Sequence, residues 1–239
     1  MPRPGAGLLA TSYAVYKTIA ISVPTLVDAF RGQITVEKCD ARLAEWSSNI
    51  VARAGIRLEV EGRDQLPPDG AFILMSNHQS HFDIPILYAA YDRTMRMVAK
   101  SELFLWPIWG RAMREAGFVA VDRSGDRKNA MAAMREAGEA IRRGVSVWIA
   151  PEGTRSSTGR IGKFKKGGFL LAMTTGTPIV PVSIDGSRSI LPKHAFVLSP
   201  GARVRVTFGA PIPVAGRSLD ELSTEVRARI AAHVTEPAE

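Results

Sequence analysis

The feature that most limits the possible folds is a regular alternation of short apolar runs with helix-like stretches after residue 55. The runs are rich in branched residues and are flanked by turn residues, as strands are. They cover residues 56–62, 71–76, 94–100, 118–122, 145–150, 178–184 and 203–208. Such alternation is typical of α/β proteins, in which helices cover a mainly parallel central sheet. We therefore predict one α/β domain over residues 55–239.

Residues 1–54 contain no strand-like run and predict two helices, at about 8–29 and 36–54. The first is apolar, but Pro24 interrupts it and Lys17 lies near its middle. A lysine at the bilayer centre costs about 2.5–3.5 kcal/mol on insertion scales, which disfavours a membrane-spanning helix. A helix lying in the membrane interface fits better, and a helix packed on the protein's own core is the alternative. We predict that this N-terminal helical pair associates with a membrane.

Capping signals place two further helices. The stretch 126–144 is rich in Ala, Met, Glu and Arg, and Gly144 stands where a helix commonly ends in a glycine. Near the C-terminus, Ser218 and Glu221 have the spacing of a capping box at the start of a helix. The stretch 185–202 has the most loop-like composition of the chain.

The charge balance points to an anionic partner. The chain carries a net charge of +8, and residues 93–166 hold 16 Lys and Arg against 7 Asp and Glu. A basic excess of this kind attracts phosphates of nucleic acid, anionic lipid or a small substrate. Nucleic acid is the weakest of these partners because no basic motif rich in aromatic residues is present. The single cysteine, Cys39, excludes an internal disulfide framework and a cysteine-rich zinc site.

Polar clusters follow three of the predicted strands: "SNHQSHFD" at 76–83, "VDRSGDR" at 121–127 and "IAPEGTRSSTG" at 149–159. Ligands of parallel α/β sheets bind beyond the carboxyl ends of the strands. The three clusters are therefore the first candidates for a functional site.

The first cluster contains His78, His81 and Asp83. An aspartate at the start of a new helix can hydrogen-bond one imidazole nitrogen of His78 and leave the other nitrogen free to accept a proton. Alternatively, Asp83 only caps the helix and His78 is an ordinary loop residue. A zinc site would need more ligands than His81, and the remaining histidines lie in a loop and in the last helix. We interpret His81 as a supporting or structural residue.

The chain offers no obvious nucleophile for this base. No G-x-S-x-G motif is present, and Cys39 lies in the N-terminal helical region. A basic His78 would therefore activate a hydroxyl of the substrate, and the reaction would be a direct transfer without a covalent enzyme intermediate.

The third cluster has the composition of an anion-binding loop. Glycine, small hydroxyl residues and Arg155 directly after an apolar strand combine backbone N–H donors with a guanidinium fork. The P-loop pattern G-x-x-x-x-G-K-[ST] is absent, which argues against nucleotide hydrolysis. Arg123, from the second cluster, could converge on the same phosphate.

Together the clusters resemble the ordered motifs of the glycerolipid acyltransferase family. Residues 77–83 resemble its N-H-x-S-x-x-D motif, and 117–123 resemble its G-x-x-F-x-x-R motif with Ala120 in place of the aromatic residue. Residues 150–156 are similar to F-P-E-G-T-R-S with alanine in place of the first residue, and 180–182 match V-P-[IV]. The motifs span 77–182.

The resemblance implies an acyl transfer to the sn-2 hydroxyl of 1-acyl-glycerol-3-phosphate, which gives phosphatidic acid. In it His78 is the general base and Asp83 orients it, while Asn77 and Ser80 support the turn. The residues implied to bind the substrate phosphate are Arg123, Glu152, Gly153, Thr154 and Arg155, with Glu152 better suited to orient the loop.

The resemblance also implies the partners and the location. Acyl-CoA or acyl carrier protein would supply an activated thioester, so neither a metal nor a bound cofactor is expected. The protein would act at an anionic membrane surface, on the cytoplasmic face. Another lysolipid such as a lyso-ornithine lipid, or glycerol 3-phosphate itself, could be the acceptor. A catalytically silent basic protein on the same fold is a further alternative.

Overall fold

The protein has a central sheet with helices on both faces, and the computed structural model describes residues 5–121 and 127–235. The described strands are β1 Arg57–Glu61, β2 Ile73–Ser76, β3 Met95–Lys100, β4 Val119–Val121, β5 Ser146–Ile149, β6 Ile179–Asp185 and β7 Arg203–Phe208. Each overlaps one of the predicted apolar runs. The predicted α/β class with a mainly parallel sheet is confirmed.

The order of strands across the sheet is β1-β7-β6-β2-β5-β3-β4. All neighbouring strands pair in parallel except β6 and β7, which are antiparallel. The strands from β6 to β4 therefore all end at one edge of the sheet, which we call the carboxyl edge. The loops after β2 and β5 are neighbours there, because those two strands pair directly.

The described α-helices are α1 Ala6–Phe30, α2 Val36–Arg53, α3 Asp83–Ala90, α4 Trp109–Glu115, α5 Arg127–Arg142, α6 Gly167–Thr175 and α7 Leu219–Ala231. The predicted helix ends are confirmed, since Gly144 follows α5 with a φ of +81° and Ser218 caps α7 in a capping box with Glu221. The predicted loop 185–202 holds one short 3₁₀ turn, Ser187–Ser189, and is otherwise irregular.

Two hydrophobic cores lie on opposite faces of the sheet. Strand β2 contributes to both, because successive side chains of a strand point in opposite directions. Leu74 packs into the core beneath α1 to α4, whereas Ile73 and Met75 pack into the core beneath α5 to α7. Burial on both faces explains why β2 is a continuous apolar run.

The N-terminal helices pack against each other and against the α/β core. Lys17 of α1 forms an ion pair with Glu45 of α2 at 2.9 Å, and the Trp46 indole donates to Thr18 at 3.1 Å. Helix α1 also packs on α4, and it continues through Pro24. Lys17 therefore faces α2.

The outer face of α1 carries many exposed apolar side chains: Leu8, Leu9, Val15, Tyr16, Ile19, Val23, Val27 and Phe30. Among the described residues α1 is the single helix whose length and composition would allow it to cross a membrane. Helix α1 thus has one face packed on the protein, as the core-packing alternative expects. Its other face is apolar and exposed, as the membrane-interface alternative expects. The division of the chain into a membrane segment, 1–54, and an acyltransferase domain, 55–239, stays a prediction.

Candidate active site

The site begins where β2 ends at the carboxyl edge. Asn77 follows the last residue of β2, and its side chain donates to the carbonyl of Ile184 and accepts from the N–H of Ile184, both at 2.8 Å. An amide side chain offers the same donor and acceptor as a peptide group, so Asn77 extends the β2–β6 pairing by one position. Ser80 donates to the Leu191 carbonyl at 3.0 Å and accepts from Phe82 N–H. Both side chains thus hold the turn that carries His78.

His78 and Asp83 form the hydrogen bond that their spacing suggests. The distance from His78 Nδ1 to Asp83 Oδ2 is 2.7 Å, and the same oxygen accepts the backbone N–H groups of Gln79 and Ser80 at 2.8 and 3.0 Å. Asp83 is 1% exposed, so this carboxylate is fixed by its three donors. Because a carboxylate only accepts, Nδ1 carries the proton and Nε2 is the nitrogen left to act as a base.

Glu152 fixes the backbone on both sides of the site. Its two carboxylate oxygens accept the N–H groups of His78 and Gly162, at 2.9 and 2.8 Å, and the residue is 6% exposed. Burial raises the pKa of Glu152, and the two backbone donors oppose that shift. Both oxygens are occupied, so in this structure Glu152 braces two loops and is not aimed at an anion.

The loop after β5 turns sharply to place its polar groups. Gly153 has a φ of +71°, and a Cβ there would lie 2.8 Å from the Lys165 side chain, so the position suits only glycine. Farther on, Ser156 N–H donates to the His78 carbonyl at 2.8 Å. The loops after β2 and β5 are therefore joined through the backbone of His78.

Arg155 is the unsatisfied cation of the site. One of its guanidinium nitrogens, Nη1, is buried and has no hydrogen-bond partner among the described residues. Burial lowers the pKa of Arg155, and the nearby charge of Asp83 partly offsets this. A buried donor without a partner is costly, so this arrangement suits an anionic ligand that would complete it.

A cavity of about 610 Å³ adjoins these groups and is lined by both polar and apolar side chains. The polar side chains are those of His78, His81, Thr154, Arg155, Lys100, Lys165 and Lys193. The apolar side chains are those of Ile84, Met97, Leu103, Ala133, Met134, Ala137, Trp148, Ile149 and Leu171. The Trp148 ring meets the His78 ring edge-on, with 6.4 Å between their centroids. The cavity can therefore hold a molecule with an anionic end and a long apolar end.

The structure brings together most of the predicted site residues. His78, Gly153, Thr154 and Arg155 line the cavity, while Asn77, Ser80, Asp83 and Glu152 lie directly behind it. Arg123 lies outside the described residues. Within the ranges 5–121 and 127–235, no three His, Cys, Asp or Glu side chains converge as a metal site would require.

Sequence reasoning missed three lysines of the cavity. Lys100 is the last residue of β3, so the same rule about carboxyl ends of strands could have found it. Lys165 lies in a basic run before α6, and only its position over Gly153 reveals it. Lys193 had no local signal, because it enters the cavity from the irregular stretch after β6.

Comparison with known proteins gives consistent results. The family model described as Acyltransferase matches residues 57–185. The chain is 33% identical over 227 residues to a chloroplastic 1-acyl-sn-glycerol-3-phosphate acyltransferase of Arabidopsis thaliana, over 95% of this chain and 61% of that protein. It is 30% identical over 233 residues to a 1-acyl-sn-glycerol-3-phosphate acyltransferase of Pseudomonas aeruginosa, over 96% of this chain and 88% of that protein.

A solved structure supports the same grouping. The crystal structure of the 1-acyl-sn-glycerophosphate acyltransferase PlsC from Thermotoga maritima superimposes with a TM-score of 0.80 and 29% sequence identity, covering 95% of this chain and 93% of that one. The chain spans only 61% and 50% of the lengths of its chloroplast relatives from Arabidopsis thaliana and Brassica napus.

Proposed function

Because the chain belongs to the acyltransferase family, we propose that it transfers an acyl chain to the sn-2 hydroxyl of 1-acyl-glycerol-3-phosphate and forms phosphatidic acid. The observation that carries this proposal is one cavity that is lined by His78, by Arg155 with its unpartnered Nη1, and by many apolar side chains. A lysophospholipid has the matching parts: a hydroxyl to be activated, a phosphate and an acyl chain.

His78 acts as the general base in the proposed mechanism. Its Nε2 accepts the proton of the acceptor hydroxyl while Nδ1–H stays bonded to Asp83, which stabilises the imidazolium that forms. The hydroxyl oxygen attacks the thioester carbonyl, and the tetrahedral intermediate collapses as the carbon–sulfur bond breaks. The thiolate leaving group then takes the proton from His78 Nε2, so the enzyme returns to its starting state.

Arg155 binds the phosphate of the acceptor in this proposal. Its buried Nη1 needs an acceptor, and the same cavity is lined by Lys193 and by Lys100, which also pairs with Glu102 at 2.6 Å. Gly153 and Thr154 shape the wall beside it, whereas Glu152 contributes by fixing the two loops. A phosphate held by several cations positions the hydroxyl near His78, and such positioning is a major part of catalysis.

The acyl donor is proposed to be acyl-CoA or acyl carrier protein. A thioester is already activated, so the reaction needs no metal or bound cofactor. The apolar part of the cavity, between β3, β5 and helices α5 and α6, can receive an acyl chain. We place the enzyme at an anionic membrane surface on the cytoplasmic face, because the acceptor is a lipid and the apolar face of α1 is exposed.

The first experiment is an assay of acceptors with a labelled acyl thioester. We expect label in phosphatidic acid when 1-acyl-glycerol-3-phosphate is offered, and little product with glycerol 3-phosphate or a lyso-ornithine lipid. A clear preference for either of the other acceptors would contradict the proposed substrate and leave the acyl transfer intact. No product with any acceptor would contradict the activity itself.

The base is tested by His78→Ala. We expect a loss of roughly 10²- to 10⁴-fold in kcat, the usual contribution of a general base, with unchanged thermal unfolding. His233→Ala is the matched control, because His233 is exposed at the end of α7. Full activity of His78→Ala would favour a catalytically silent role for this cluster.

A further inference from the structure

Two loops at the carboxyl edge expose large apolar side chains on opposite sides of the active site. One loop follows β3 and the other follows β6. In the sheet order β6-β2-β5-β3 these strands flank β2 and β5, whose loops carry His78 and Arg155. The two loops therefore border the mouth of the catalytic cavity from both sides.

The loop after β3 is held firmly while its apolar side chains face solvent. Phe104 is buried, and Gly110 packs so closely on the Phe104 backbone that any side chain at position 110 would clash. Between Phe104 and Gly110, Leu105 is 75% exposed, Trp106 is 62% exposed and Ile108 is 50% exposed. Their exposure is thus a consequence of a fixed turn.

The loop after β6 is likewise anchored at two points and exposes apolar side chains between them. Leu191 accepts a hydrogen bond from Ser80 beside the catalytic turn, and Leu198 is buried with its N–H donating to Thr11 of α1 at 3.0 Å. Between these anchors Phe196 is 89% exposed and Val197 is also exposed. We call Leu105, Trp106, Ile108, Phe196 and Val197 the apolar rim.

Helix α1 links the two halves of the rim. Its first turns contact the loop after β6, where Gly7 packs against Val197 and Leu198. Its last residue, Phe30, lies under the Arg111 guanidinium of α4 at 4.0 Å, and α4 directly follows the loop after β3. The exposed apolar face of α1 thus extends from one loop towards the other.

Cations accompany the apolar rim. Lys100 and Lys193 line the cavity, and Arg111 lies where α1 meets α4. Lys100 also pairs with Glu102 at 2.6 Å and Arg111 with Glu115 at 4.0 Å, both near the surface, whereas Lys193 has no ion pair among the described residues. Apolar side chains surrounded by basic ones are the pattern of surfaces that bind anionic lipid. A second copy of this +8 chain would be repelled by the same cations and would also cap the cavity that the acceptor must enter.

We propose that the apolar rim inserts into the headgroup–acyl boundary of an anionic membrane leaflet, so that the catalytic cavity opens directly onto the lipid. The rim is a second membrane contact, separate from α1, and it sets the height of His78 and Arg155 relative to the headgroups. That the acceptor then enters sideways from the leaflet rests on the proposed function. Large aromatic side chains suit this depth because they combine an apolar body with a preference for interfaces.

Site-specific fluorescence tests the insertion without requiring catalysis. In a Cys39→Ala background, Trp106→Cys and Phe196→Cys are labelled with an environment-sensitive dye and mixed with vesicles of equal parts phosphatidylcholine and phosphatidylglycerol. We expect a blue shift and quenching by lipids that carry the quencher on the acyl chain. Asp69→Cys is the control, because Asp69 is exposed at the opposite edge of the sheet and should show neither change.

Some outcomes of that measurement would overturn the proposal. Vesicle-bound protein with unchanged emission at positions 106 and 196 would show that the rim stays in water. A blue shift that depends on protein concentration and needs no vesicles would show that a second copy covers the rim instead.

Kinetics separate the rim from the chemistry. We expect the double variant Trp106→Ser, Phe196→Ser to lose roughly tenfold or more in rate on an acceptor embedded in vesicles, because burial of even one large apolar side chain is worth about that factor. On a short-chain acceptor dissolved as monomers the rate should not change. Val36→Ser, which alters an exposed apolar residue at the opposite edge, is the matched control. Equal loss on both acceptors would contradict the rim, whereas absence of product from the unmodified enzyme would contradict the proposed function.

Discussion

At the scale of single residues, three groups of His78 are held by hydrogen bonds and a fourth is left free. The N–H of His78 is bound by Glu152, its carbonyl by Ser156 and its Nδ1 by Asp83, so Nε2 alone is left to react. The pairing of His78 with Asp83 could be predicted from their spacing at a strand-to-helix turn. Glu152 braces the site because it accepts two backbone N–H groups, one of which is 74 positions away in the chain. No local sequence pattern could predict a contact over that separation.

Arg155 gives a prediction about binding. We expect Arg155→Ala to raise the KM for the lysophospholipid acceptor roughly 10- to 100-fold, the value of one or two charge-assisted hydrogen bonds, and to change the KM for the thioester little. Steady-state kinetics with each substrate varied in turn measure the two effects. Arg143→Ala, exposed at the opposite edge of the sheet, controls for the lost charge. A defect confined to the thioester would contradict phosphate binding by Arg155.

His81 gives a prediction about pH. Desolvation, followed by the charge of Arg155, lowers the pKa of His81 to about 4 from an ordinary value of 6.5. The unfolded chain therefore binds more protons than the native protein between these values, so the contribution of His81 to stability is complete above pH 6.5 and is lost as the pH falls towards 4.

Thermal unfolding across this range tests that assignment. We expect the melting temperature of His81→Gln to fall less than that of the unmodified protein as the pH drops from 6.5 to 4. The difference should be modest, because His81 is exposed to solvent. Parallel pH curves for the two proteins would show that His81 titrates normally.

At the scale of elements, α1 has two faces with different tasks. Lys17 and Thr18 bind α2, and Ala10 is buried in the core, whereas the outer face is apolar and exposed. The sequence indicated a helix with a lysine in its middle, but it could not show that Glu45 neutralises this lysine. Because Lys17 pairs with Glu45 of α2, its charge does not lie on the outer face of α1.

The outer face of α1 gives a prediction about membrane binding. We expect the triple variant Leu9→Ser, Ile19→Ser, Val23→Ser to float less with anionic vesicles, because each exposed apolar side chain removed weakens interfacial binding. Thermal unfolding should change little, since substitutions at exposed positions usually have small effects. Unchanged flotation of the triple variant would contradict an anchoring role of α1. Deleting residues 1–35 is a less specific test, because it also removes Ala10 from the core.

At the scale of the whole molecule, the function depends on which strands are neighbours. Strand β2 lies between β6 and β5, so the turn with His78 is supported from one side by Ile184 and from the other by Glu152 and Ser156. The two exposed loops border the same mouth because β3 and β6 end at the same edge. One sheet order therefore produces both the candidate catalytic cavity and the surface that we propose meets the lipid.

The sequence by itself determined the class of fold, the strands, helices α1, α2, α5 and α7, and the polar clusters that follow the strands. These are local properties: apolar runs, capping residues and motif spacings are read within a few positions of the chain. Only the tertiary structure decided the order of the strands, the bracing by Glu152, the cavity positions of Lys100 and Lys193, and the loops that flank the site. These features depend on contacts between residues that are far apart in the chain. Such contacts form when the two hydrophobic cores pack, because a single arrangement must accommodate all buried groups at once.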